Sequence, residues 1–145
     1  MALIDGLNDP NKTEMLVNDC VTLIDEQVAA KGGMGGLAWK GAYATVKGVK
    51  PNYIDGAIER LLPETLVALD PMWTEGTQTG DPVGFLTQNS SRAADAVLSV
   101  TDTRIEKTSN GVVRGLYNKM RGSAKNEVET AIPGLAKILD KYSKS

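Results

Sequence analysis

Histidine is absent from the 145 residues, and cysteine occurs once, at Cys20. The first absence removes the side chain whose free pKa lies nearest neutrality, the commonest general acid or base and a leading zinc ligand. The second rules out an internal disulfide, and together they would leave a zinc ion only an all-carboxylate cage. Aromatic residues make up 5% of the chain, and no apolar run approaches the ~18 residues a transmembrane helix needs. The opening MALIDGLNDP has neither a basic start nor an apolar core, which reads against Sec export. G-x-S-x-G, S-x-x-K, dinucleotide-binding and Walker spacings are all missing. These absences predict a non-enzymatic cytoplasmic protein with no cofactor, no metal, no catalytic residue and no transmembrane segment.

What is present is globular in kind. Hydrophobic residues are 41% and charged residues 23% of the chain, close to ordinary folded domains, and the length suits one domain over 1–145. A net charge of −2 argues against a nucleic-acid partner, whose affinity would normally rest on a basic field.

Apolar residues recur at three-to-four-residue spacing almost throughout, and no window alternates as a strand would. Asp9-Pro10 reads as a helix cap followed by proline at the first helical position. It opens a helix to about Lys31 that buries Cys20 as a small apolar thiol. GGMGG at 32–36 reads as a C-cap and flexible connector. A second helix, about 36–49, is apolar around most of its girth and is expected to be central. After Pro51-Asn52 a third runs from Ile54 to Leu69, with Pro63 expected to kink or split it. The stretch 72–80 loses periodicity and reads as a linker. Asp81-Pro82 repeats the opening cap, a short turn follows, and Asn89 or Ser90 starts a longer helix. Ser109-Asn110-Gly111 breaks the chain before two further helices, one around Val112–Met120 and one around Val128–Tyr142.

The phrase KGAYATVKG at 40–48 nearly returns as RGLYNKMRG at 114–122. At a constant offset of 74, residues 40–58 lie on 114–132 without a gap, and about twelve of nineteen positions agree in kind. Upstream the offset becomes 77, placing Asp25 on Asp102 and Val28 on Ile105; downstream it becomes 70, placing Leu62-Pro63 on Ile132-Pro133. The pattern predicts an all-α fold of about six helices, built as two tandem three-helix repeats about a pseudo-twofold axis. Repeat one spans about 9–71, the connector 72–80 and repeat two 81–142. Gly41 and Gly48, with Gly115 and Gly122, each stand seven residues apart on one helix face, so a close crossing of the two central helices is expected there.

Positive charge gathers on the same helices. Between Glu26 and Asp55, and again between Glu106 and Glu127, there are bases and no acid. Lys40 and Lys47, with Arg114 and Arg121, form matching stripes that suggest a surface for an acidic or phosphate-bearing partner. The competing reading pairs these bases with the acids of neighbouring helices. A second candidate is an apolar small molecule or lipid carried in a pocket between the repeats. Asp25-Glu26 and Glu127/Glu129 read as solvated faces, and Trp39, Trp73, Tyr43 and Tyr117 as core or interface aromatics. A homo-oligomer is compatible with the sequence.

VKGVKP, RLLPE and MRGSAKNEVETAIP are the most specific pieces of a longer likeness. Across nearly its whole length the chain resembles a family of small bacterial proteins, common in actinobacteria, known only as a domain of unknown function. An aromatic often follows the Pro-Glu of that family, where this chain has Thr65. The resemblance implies a bacterial cytoplasmic helical protein and carries no activity or site residues with it.

Overall fold

The computed structural model describes residues 9–30, 33–49 and 52–143, and the six elements among them are all α-helices. Helix α1 (Pro10–Ala30) starts at the expected cap, where Asp9 Oδ1 accepts the Asn11 N–H at 2.9 Å. Helix α2 (Gly33–Lys47) begins inside the glycine cluster, so most of the stretch read as a connector is helical; Lys31 and Gly32 lie outside the described residues. Asn52, left-handed at φ 58°, precedes α3 (Tyr53–Gln78). Then come α4 (Pro82–Gln88), α5 (Ser90–Lys107) and α6 (Gly111–Ser143).

Continuity departs from expectation twice. Helix α3 is not split at Pro63 and does not stop near Leu69; it passes both Pro63 and Pro71 and ends at Gln78. Each proline deletes one backbone bond, but Leu62, Leu66, Leu69, Met72 and Trp73 present an unbroken buried face that holds the helix together. The glycine and threonine content of 72–80 reflects packing and a cap. Gly76 lies under α4, where an added Cβ would sit 2.7 Å from Pro82 Cα. Gly80, at φ +87°, closes the helix with N–H bonds from Gly80 to Thr77 O (3.0 Å) and from Asp81 to Gly76 O (3.2 Å), the Schellman pattern. Asp81 then caps α4 through the Gly84 N–H at 2.9 Å.

The second departure is α6, one helix of 33 residues where two were expected. The repeat explains it. Position 125, which aligns with Pro51, is lysine, so the second unit lacks the proline that the first carries between its second and third helices; Lys50 and Pro51 themselves lie outside the described residues.

The two-unit architecture is present in the packing. Helix α1 packs on α2 and reaches across to α6, and in the same way α5 packs on α6 and reaches across to α3. Tyr142 of α6 donates to Asp19 of α1 at 2.7 Å, while Arg92 and Arg104 of α5 pair with Glu75 and Glu64 of α3 at 2.9 and 2.8 Å. Aligned apolar positions share their burial: Leu62 with Ile132 and Leu69 with Leu139 are all buried. The core therefore joins α1, α3, α4, α5 and the C-terminal half of α6. Among the described residues no polar or charged side chain is buried in it. Cys20 belongs to this core, and burial first, then the Asp19 charge, pushes its thiol up to about 12.

No described side chain of helix α2 belongs to that core. It is peripheral rather than central, and Leu37 on it is 71% exposed. The close glycine crossing is also corrected. A Cβ built at Gly41, Gly115 or Gly122 meets no atom within 4 Å outside its own turn, and one at Gly48 meets only carbonyls of its own helix. These four glycines face outward because the helices that touch at the centre are the first and third of each unit.

Candidate functional site

Between the two units lies a cavity of about 630 Å³, walled by α1, α2, α3, α5 and α6. Its lining follows the repeat. Ile24 and Val28 of α1 line the cavity together with their counterparts Thr101 and Ile105 of α5. Trp39, Ala42 and Val46 of α2 line it together with the aligned Val113, Leu116 and Met120 of α6. Tyr43 and its counterpart Tyr117 both line it, as do Ile54 and its counterpart Val128. The cavity thus sits on the pseudo-twofold axis, made from the side of each second helix that points inward while the glycines point out. Most of its wall is aliphatic, and it falls within the range of ligand pockets, roughly 300–1,000 Å³.

Each half of the wall is held by the same polar device. In the first unit the Tyr43 hydroxyl donates to Asp25, and Lys47 Nζ lies 3.7 Å from the same carboxylate and 5.1 Å from the centre of the Tyr43 ring. In the second unit the Tyr117 hydroxyl donates to Asp102 at 2.5 Å, and Arg121 grips that carboxylate with two bonds of 2.9 and 3.1 Å. Thr101 shares a further bond with the Tyr117 hydroxyl at 2.7 Å. These sets tie the first helix of each unit to the second and turn both tyrosines toward the cavity.

Their electrostatics agree with the geometry. The Arg121 bonds hold the Asp102 carboxyl below its usual range against a smaller opposing effect of desolvation, and Tyr117 lowers it further. Burial first, then the bond to Asp102, pushes Tyr117 up to about 12; Tyr43 is raised for the same reasons, with Asp25 as its partner. Both phenols are therefore firm donors at neutral pH, anchored by carboxylates, and neither is poised as an acid or base.

Of the four bases singled out by sequence, Lys47 and Arg121 are each engaged by a carboxylate. Arg114 is exposed and its guanidinium donates to the Thr108 carbonyl, at the corner between α5 and α6. Lys40 is exposed beside a shallower hollow that also touches Asp25, Tyr43 and Lys47. Of the aromatics, Trp73 is core and Trp39 is cavity wall.

Three charged residues that sequence reasoning did not single out as a site also line the cavity: Arg60 of α3, with Arg104 and Lys107 of α5. The signal that could have found them is a departure from the repeat, since the positions aligned with Arg104 and Lys107 are Gln27 and Ala30. No cluster of three or more potential metal-ligating side chains occurs among the described residues. No described helix is long and apolar enough to cross a membrane.

A family model described as a family of unknown function, DUF6918, matches residues 3–143. Neither a curated protein nor a solved structure matches the chain.

Proposed function

Because the chain belongs to DUF6918, a family of unknown function, no activity comes to it by kinship, and we propose from its own geometry that it is a non-enzymatic binding protein for an apolar small molecule. The cavity on the pseudo-twofold axis carries this reading: about 630 Å³ with a largely aliphatic wall contributed by both units. At about 30 Å³ per molecule, a space of that size filled with water would hold some twenty waters facing few polar partners. An apolar ligand that displaces them gains the hydrophobic term directly. The tyrosine–aspartate–cation sets keep the walls in place without supplying a reactive group. Such a carrier would work in the bacterial cytoplasm.

Native mass spectrometry of protein purified from its own host tests the proposal by reporting bound mass and subunit number together. A discrete adduct of small-molecule mass, displaced by a neutral apolar dye and lost in Ala57→Trp, is the expected result. Bare chain mass with no dye binding in the wild type would remove the reading.

The other reading, an acidic or phosphate-bearing partner on Lys40, Lys47, Arg114 and Arg121, rests mainly on Lys40 and Arg114. The remaining two already face carboxylates.

A further inference from the structure

The hydrocarbon part of the cavity is matched across the axis, but its charge is not. Among the described residues every charged side chain in the wall is a cation, and all three lie on the α3–α5 side. Arg104 Nη2 donates to the Arg60 carbonyl at 3.2 Å, which puts these residues side by side, and Lys107 follows Arg104 by about one helical turn. Thr108 and Ser109 add hydroxyls at the same corner.

The Arg104 charge is balanced by Glu64 at 2.8 Å. Its Nε, however, is buried and has no hydrogen-bond partner among the described residues, and an orphaned donor of this kind is costly unless something accepts from it. Arg60 and Lys107 have no ion pair among the described residues. The negative end of the α5 dipole accounts for a base in its last turn, but Arg60 sits on another helix and has no such reason to be there. Nor does the repeat require any of this, since its other half places Gln27 and Ala30 at the matching positions.

We propose that the ligand is a single-chain amphiphile with an anionic head, its tail in the aliphatic cavity and its head against Arg60 and Lys107, with Arg104 behind them. This rests on the apolar-ligand reading and adds an orientation to it. Arg60 and Lys107 are exposed at the cavity's edge, and a neutral ligand would leave both without an anionic partner. An acidic head supplies charge-assisted bonds to them, and these are stronger than neutral ones.

The test is a competition series against a neutral apolar dye, using dodecanoate, dodecyl phosphate and dodecanol on the wild type, Arg60→Gln/Lys107→Gln and Ala57→Trp. Circular dichroism first establishes that each variant folds, and Ala42→Phe replaces Ala57→Trp if that variant does not. At least one acidic chain is expected to bind the wild type about tenfold or more tightly than the alcohol, a difference of about 1.4 kcal/mol or more. The preference should vanish in Arg60→Gln/Lys107→Gln with dodecanol affinity unchanged. Comparing dodecanoate with dodecyl phosphate identifies a carboxylate or a phosphate head. Equal binding of acid and alcohol by the wild type, or a preference that survives the double substitution, overturns the head-group assignment while leaving the cavity intact. Failure of all three chains to displace the dye also overturns it. Dye binding that is unchanged in the cavity-filling variants removes the cavity reading itself.

Discussion

Single positions in this protein are decided by what a side chain would meet. At Gly41 and Gly115 an added methyl meets open space in the interior of a helix. Gly41→Ala and Gly115→Ala should each raise stability by about 0.5–1 kcal/mol, the ordinary helix preference for alanine. At Gly76 the added Cβ would lie 2.7 Å from Pro82 Cα, a backbone atom that cannot swing aside. Gly76→Ala should therefore cost about 1–3 kcal/mol by overpacking. Urea melts of the three variants check both signs, and a destabilised Gly41→Ala would restore the close crossing expected from sequence. Tyr117 offers a pH test. Its phenol moves from 10.0 to about 12 in the fold, so the native state holds that proton more tightly than the unfolded chain. The stability it contributes is complete below pH 10.0 and is lost as pH rises from there through about 12. Urea midpoints across that window should fall less steeply in Tyr117→Phe than in the wild type.

Whole elements show where one copy of the repeat has been edited relative to the other. The break between α2 and α3 contains Pro51 and a left-handed Asn52, whereas α6 passes the aligned Lys125 and Asn126 as helix. Lys125→Pro should remove a backbone bond, crowd the preceding turn and cost about 3 kcal/mol or more, with a measurable loss of helical ellipticity. Lys125→Gln removes only the exposed pair with Asp95 and should stay within about 1 kcal/mol of the wild type. A Lys125→Pro variant as stable as Lys125→Gln would mean that the continuity of α6 carries no energetic weight. Helix α4 shows the reverse relation between sequence and element. Its cap, Asp81-Pro82, copies Asp9-Pro10, yet α4 stays short because Asn89 interrupts it before α5 begins.

For the molecule entire, two apolar regions differ in how closely they are packed. The core is closed: Leu69 and Ile132 are fully buried, and replacing either with alanine should cost about 2–5 kcal/mol in denaturant titration. The cavity is walled largely by side chains that are only partly buried, and on the proposed reading its stability should depend on its occupant. Protein stripped of bound material should melt lower than protein from its host, and should regain stability by about 2.7 kcal/mol when a ligand is restored at a hundred times its dissociation constant. An identical melt before and after stripping would contradict an occupied cavity. The repeat gives this arrangement its logic. Doubling a unit matches the hydrocarbon on both sides of the axis, and a few unmatched charges on one side then give the space a direction.

Much of this was legible along the chain. Helical periodicity, the caps at Asp9 and Asp81, the breaks near Asn52 and Asn110 and the two-unit plan are local or self-referential properties, so one sequence determines them. The pairing of Asp25 with Tyr43 and Lys47, and of Asp102 with Tyr117 and Arg121, was half visible: the offsets align the residues, but only the crossing of helices shows that they touch. The continuous α6 was readable from Lys125 standing where the first unit has Pro51, whereas the outward glycines, the peripheral α2 and the cavity with its cationic corner were settled by the packing. Each depends on which face of one helix meets another dozens of residues away, and that is chosen by the summed burial of all six helices.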